Sequence, residues 1–215
     1  MKNLIFIGAG GYFLELYEYI SKDIAGNVLL GIDIQGVLDD KVPTRELACS
    51  YLGNVSNYII QPNDIFIIAI GNVSHRERIF STLKGKGATF YTYKHPTALV
   101  SESAKVGEGC IICPFTIINA KAVIGENVSL NVNVSIGHEA SVGPHSVLSP
   151  YVALNGNASV AQQSFIGSRS TVFPSVKVGA FCTIDTHTAV RKSCGDKMIL
   201  SERTTVTAIK NRLMR

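Results

Sequence analysis

Tryptophan is absent from this 215-residue chain, charged residues make up only 17% of it, and no run of about 18 apolar residues occurs. The missing apolar run excludes a membrane-spanning helix. Few charges beside 46% hydrophobic residues exclude a disordered chain, which needs the opposite balance. Neither sign dominates. The 20 Lys and Arg against 16 Asp and Glu leave +4, spread along the sequence, with no footprint for nucleic acid. Glu15, Glu18 and a glycine-rich turn near the start do not make a signal peptide. The five cysteines (Cys49, Cys110, Cys113, Cys182 and Cys194) are an odd number without a secretion signal, so the expected setting is a reducing cytoplasm.

What is present is a repeat. Stepping by six from Val100 gives Val106, Ile112, Ile118, Ile124, Leu130, Ile136, Val142, Leu148, Leu154, Val160, Ile166, Val172, Val178, Ile184 and Val190, all Val, Ile or Leu. The position four later is small or β-branched throughout, from Ala104 and Cys110 to Cys182 and Thr188. The residue just after the aliphatic is often Gly or Asn, as at Gly107, Asn119, Gly137, Asn155 and Gly167. Each six-residue unit therefore reads as a short strand plus a turn, with about three units per coil of a triangular prism. The aliphatic residue points inward, the small one fills the space beside it, and Gly or Asn is expected to supply the positive-φ turn. A left-handed parallel β-helix is the fold expected from Val100 to Val190. A right-handed β-helix lacks such strict sixfold spacing.

The first ninety residues alternate strand and helix, the mark of a small parallel α/β domain. Lys2–Ile7 reads as a strand, residues 12–22 as a helix, and Val28–Ile32 as a second strand ending near Gly36-Val37-Leu38-Asp39-Asp40. Asp64–Ile70 reads as a third strand, residues 74–86 as a helix, and Ala88–Tyr91 as a last short strand. Ligands in such sheets lie beyond the carboxyl ends of the strands. Those ends carry Gly8–Gly11, Asp39-Asp40 and Gly71-Asn72. A dinucleotide fingerprint is incomplete, because its third glycine position holds Phe13. Two readings of the first loop stay open: a plain tight turn, or backbone NH groups at a helix N-terminus meeting a phosphate or sugar nucleotide.

The glycine-rich first loop, Gly36-Val37-Leu38-Asp39-Asp40, Ile68-Ala69-Ile70-Gly71-Asn72 with Arg76, and His95-Pro96-Thr97-Ala98 opening the repeat occur in one order. Ile136-Gly137-His138-Glu139-Ala140-Ser141-Val142-Gly143 and the segments at Leu154–Asn157 and Ser164–Gly167 continue the pattern. Over about residues 2–192 the chain resembles the NeuD/PglD family of sugar O- and N-acyltransferases. The resemblance implies residues 1–94 as a Rossmann-like nucleotide-sugar-binding domain and 95–194 as the left-handed β-helix acyltransferase domain, with 195–215 as a tail. It further implies a homotrimer, acetyl-CoA as co-substrate and a role in surface polysaccharide biosynthesis. The acceptor would be the amino group of a nucleotide-linked 4-amino-4,6-dideoxy sugar or a sialic-acid hydroxyl. A non-catalytic β-helix scaffold is the remaining alternative.

Acyl transfer from a thioester needs a base of near-neutral pKa for the acceptor's proton, and histidine fits best. Of His75, His95, His138, His145 and His187, only His138 follows an inward aliphatic residue by two and adjoins a carboxylate, Glu139. A neighbouring carboxylate orients an imidazole and stabilises its protonated form. The resemblance gives the same pair, His138 as base and Glu139 as its tuner. His145 is a lesser candidate for touching substrate or cofactor, His95 is read as structural, and His75 and His187 as surface residues. Cys110 and Cys113 have zinc-knuckle spacing but lack a second pair, so packing is expected and no metal.

Gly10, Gly11, Tyr12, Asp39, Asp40 and Gly71 are the expected substrate-binding residues. Ser168 and Thr186 match cofactor-contact positions of the family, with Asn155 and Gly167 close by. Val147 stands where some members carry a second histidine that bonds the thioester carbonyl. Two further departures are Tyr12-Phe13 after the first turn and the missing Gly-x-Pro-Ala near the C-terminus. Arg203, Lys210, Arg212 and Arg215 in the tail suggest a short solvated helix.

Overall fold

The computed structural model describes residues 1–202. The tail cations at 203, 210, 212 and 215 lie outside the described residues. Strand β1 (Lys2–Ile7) is followed by helix α1 (Gly11–Ala25), β2 (Ile32–Leu38), β3 (Asp64–Ile68), α2 (Val73–Gly85) and β4 (Thr89–Phe90). The four strands form one parallel sheet in the order β2-β1-β3-β4. Both of its faces are covered, and the residues of β1 and β3 divide accordingly. Leu4, Phe6, Ile65 and Ile67 pack with α1 through Phe13, Leu16 and Ile20, while Ile5, Ile7, Phe66 and Ile68 pack with Ile79, Phe80 and Leu83 of α2. Burial on both faces is why these strands read as continuous apolar runs rather than alternating ones.

The second strand begins four residues later than its apolar run suggested. Val28 and Leu29 donate their NH groups to the Asp23 carbonyl and close the end of α1, and Val28 and Leu30 are exposed. Pairing with β1 starts at Ile32 and shifts register at Gly36.

From Tyr93 the chain winds into a prism. Strand β5 (Tyr93–Lys94) already pairs with Ile111–Ile112, so the prism takes in residues before the expected boundary at 94. At the other end Ile199–Leu200 pairs with Thr183–Ile184, beyond 194, because these residues still complete the ladder. Three parallel sheets of seven, six and five two-residue strands make the faces of a left-handed β-helix. We call the face carrying β5, Ser129–Leu130 and Val147–Leu148 the docked face, that carrying Leu99–Val100 and Ser135–Ile136 the second, and that carrying Lys105–Val106 and Ser141–Val142 the third. Partners such as Ser129 and Val147 are one coil apart. The sixfold aliphatics from Ile112 onward and their small partners fill a single continuous core, and Cys110 packs there.

The turn chemistry differs from expectation. The left-handed residues are not those after the aliphatics but those three positions on: Phe115, Lys121, Asn127, Glu139, His145 and Tyr151, with φ between 53° and 63°. Each is the third residue of a tight turn such as Gly137-His138-Glu139-Ala140, where the Ala140 NH meets the Gly137 carbonyl. The glycines after the aliphatics serve close stacking. A Cβ on Gly143 would stand 2.4 Å from the Gln162 nitrogen of the next coil.

The α/β domain lies on the docked face. Ile111, Cys113 and Tyr93 join the α1 cluster, and Tyr93 donates to Asp23 at 2.7 Å. Among the described residues no helix is long and apolar enough to cross a membrane.

Candidate active site

Beyond the carboxyl ends of the parallel strands lies a cavity of about 480 Å³. All six expected substrate residues, Gly10, Gly11, Tyr12, Asp39, Asp40 and Gly71, line it. Gly8 makes the turn into it at φ +94°, and a Cβ there would strike the Ile70 side chain at 2.6 Å, so both conformation and space require glycine. Gly10 caps α1 with no side chain, and no acid occupies the first turn, so the first NH groups of the helix are unopposed by charge. Asp39 is already engaged: its carboxylate accepts from the Ala9 NH at 2.8 Å and the Lys41 NH at 2.9 Å, pinning the glycine loop to the end of β2. Asp40 accepts from the Val55 NH at 3.3 Å.

The wall also holds His75, and Lys41 and Arg78, which sequence reasoning passed over. His75, read above as a plain surface residue, is exposed but faces this cavity from the first turn of α2, where Asn72 accepts its NH at 3.0 Å. A signal existed in principle, since a helix starting at Asn72 places residues 75 and 78 on one side.

Tyr12 lines the cavity and reaches the prism, its hydroxyl 2.7 Å from Ser129 Oγ and 3.6 Å from Cys113 Sγ. Burial pushes its phenol pKa well above the usual value, so it stays protonated.

His138 and Glu139 stand elsewhere, on the edge between the second and third faces, opposite the docked face. His138 Nδ1 lies 3.3 Å from Glu139 Oε2. Tight-turn geometry makes two sequence neighbours face solvent together: Glu139 takes the left-handed position, and its NH bonds the Ala120 carbonyl one coil away. His138 is 64% exposed and its ring lies over Gly156. Asn155 shares this edge, one coil on, its amide held by the Val172 carbonyl at 3.0 Å.

The remaining cofactor candidates do not gather there. Val147 is buried on the docked face. Gly167, Ser168 and Thr186 occupy the edge between the docked and second faces, where a Cβ on Gly167 would lie 2.7 Å from the Thr186 nitrogen. His145 lies at the domain junction, 3.0 Å from Asn127 and edge-on to Phe80, and is absent from the cavity wall.

Residues 3–83 match the family model of the PglD N-terminal domain. The N-terminal domain belongs to the PglD N-terminal domain family. The family resemblance drawn from the sequence is borne out in this PglD-type domain. Among curated relatives, UDP-N-acetylbacillosamine N-acetyltransferase of Bacillus subtilis is 32% identical over 117 residues, 52% of this chain and 51% of that one. GDP-perosamine N-acetyltransferase of Escherichia coli is 28% identical over 146 residues, 66% of this chain and 65% of that one. The chain thus spans about half to under two thirds of these relatives. The PglD-type domain and prism together share the fold of two solved structures. The acetyltransferase domain of PglB from Neisseria gonorrhoeae, in complex with acetyl coenzyme A, superposes with a TM-score of 0.81 at 23% identity over 92% of this chain and 95% of that one. PerB from Caulobacter crescentus, in complex with CoA and GDP-perosamine, gives 0.78 at 23% identity over 93% of each.

Proposed function

We propose that this protein is an acyltransferase that moves the acetyl group of acetyl-CoA to the amino group of a nucleotide-linked amino sugar, a 4-amino-4,6-dideoxy sugar by the family resemblance. The observation that carries the reading is the pairing of two features in one chain. One is a cavity walled by open helix NH groups, the cations Lys41 and Arg78, and the His75 side chain. The other is an exposed His138–Glu139 pair. The cavity suits a diphosphate, whose oxygens accept from backbone NH and cationic donors. The two curated relatives above are named for N-acetyl transfer to nucleotide-linked sugars.

In the proposed reaction His138 Nε2 takes a proton from the sugar amine as its nitrogen attacks the thioester carbon. Glu139 at Nδ1 holds the ring and stabilises the imidazolium. The carbonyl passes through a tetrahedral oxyanion, a backbone NH steadies it, and collapse expels the CoA thiolate, which takes the proton from His138. No covalent enzyme intermediate is needed. The acetyl donor supplies the activated thioester, and Asn155, Gly167, Ser168 and Thr186 are the positions proposed to hold it.

One chain does not bring His138 to its own cavity, since they lie on different sides of the prism. A homotrimer would set the His138 edge of one subunit against the docked domain of the next, and we propose that assembly. The test is steady-state turnover of His138→Asn with acetyl-CoA and UDP-, GDP- and dTDP-linked 4-amino sugars, beside sialic acid as a hydroxyl acceptor. Loss of turnover by about 10²–10⁴-fold is expected with amine acceptors; near-normal turnover defeats the assignment, and turnover on sialic acid alone replaces it with O-acetylation.

A further inference from the structure

Among the described residues, the largest fully buried side chain is a cation without a counterion. Arg76, in the first turns of α2, is 0% exposed, and among the described residues no carboxylate pairs with it. Its guanidinium forks between the domains. Nη1 donates to the carbonyls of Ile68 at 2.5 Å and Ile70 at 3.0 Å, at the end of β3. Nη2 donates to Asn127 on the prism, to its carbonyl at 3.0 Å and to Oδ1 at 2.8 Å. Nε–H finds no acceptor among the described residues. Burial lowers the guanidinium pKa to about 10, which leaves it charged at neutral pH.

Because guanidinium only donates, it fixes which end of the Asn127 amide is oxygen. Asn127 Nδ2 then faces the Arg76 carbonyl at 3.2 Å and His145 Nδ1 at 3.0 Å. An NH₂ group only donates, so His145 Nδ1 must accept: the ring is neutral with its proton on Nε2. Glu126 from its own edge, Glu77 and Arg76 from α2, and the Phe80 ring are the groups around it.

A buried charge satisfied only by carbonyl oxygens is costly, and an apolar contact would hold two domains together as well. What the fork adds is direction. Its β3 acceptors flank Ala69, and Ala69, Ile70 and Gly71 are cavity wall. We propose that Arg76, Asn127 and neutral His145 form a positioning unit that fixes the Ile68–Gly71 wall of the cavity against the β-helix. The proposal rests on the reading of that cavity as the nucleotide-sugar pocket.

The test uses the full chain, with Arg76→Lys and Asn127→Asp. Lysine keeps the charge but cannot serve four acceptors across two domains from one nitrogen. Aspartate keeps the shape and gives Arg76 a carboxylate, but turns the donor facing His145 into an acceptor. UDP and GDP binding is measured by calorimetry, melting by circular dichroism, and the histidine ring nitrogens by NMR over about pH 5 to 8. In the wild type, His145 Nδ1 is expected without a proton. In Asn127→Asp the proton moves to Nδ1 and the titration shifts upward. Both variants should stay folded and bind diphosphate more weakly by about tenfold or more, as misplaced binding groups do. Folded variants with wild-type affinity overturn the proposal, and so does a protonated Nδ1 in the wild type. A wild type that binds neither diphosphate defeats the pocket reading instead, and the NMR arm still judges the Arg76–Asn127–His145 assignment. Should Arg76→Lys not fold, Asn127→Asp carries the test alone.

Discussion

The imidazole of His138 lies directly on Gly156: a Cβ at that glycine would come within 2.5 Å of Nε2 and 2.8 Å of Cε1. The nitrogen proposed to meet the acceptor amine is the atom a side chain would push. Gly156→Ala should therefore tilt the ring away from its Glu139 contact. Turnover is expected to fall by about ten- to a hundredfold, with KM for the nucleotide sugar little changed. Melting should stay close to wild type, because His138 is exposed. Equal turnover in steady-state kinetics would show that the ring position does not matter.

Arg78 and His75 project from one turn of α2 into the cavity. If they meet a diphosphate, Arg78→Ala should weaken UDP or GDP binding by about tenfold, the size of one charge-assisted hydrogen bond. The double variant with His75→Ala should also flatten the salt dependence of the affinity. Calorimetry at two salt concentrations checks both.

Tyr93 at the start of the prism donates to Asp23 of α1 at 2.7 Å, in a buried setting. Tyr93→Phe leaves that carboxylate without its partner. A loss of about 1–3 kcal/mol is expected in urea unfolding, with turnover unchanged where the protein remains folded.

Burial lowers the pKa of His145 from its ordinary value near 6.5. The unfolded chain then binds more protons than the folded one as pH falls. Stability from this group is therefore complete above about pH 6.5 and is lost as pH drops through the folded pKa. His145→Gln, whose amide oxygen can take the Asn127 bond, should lose this slope. Thermal melting between about pH 7 and 5 compares the two.

Much of the architecture is legible in the chain because it is periodic. Sixteen aliphatic positions in sixfold step leave one way to bury them all, and the Gly8–Gly11, Asp39-Asp40 and Gly71 segments end strands that must be parallel and adjacent. The positive-φ positions escaped the same reading. Phe115, Glu139 and His145 are not residues that announce left-handed geometry; the ladder imposes it, while glycines such as Gly143 answer to the spacing of coils. The start of β2 was misplaced because Val28 and Leu30 are apolar yet exposed, so their hydrophobicity carries no pairing information.

The sequence by itself determined the two-part plan, the prism, the strand-end loops and the His138–Glu139 pair, since each is local or repeats at fixed spacing. Only the tertiary structure decided which edge of the prism each candidate occupies. It separated His138 from Ser168 and Thr186, drew His75 and Arg78 into the cavity wall, and buried Arg76 against Asn127, 51 residues away. Those relationships depend on how one domain docks on one face of the other, and docking is set by contacts between residues far apart in the chain, which no local pattern records.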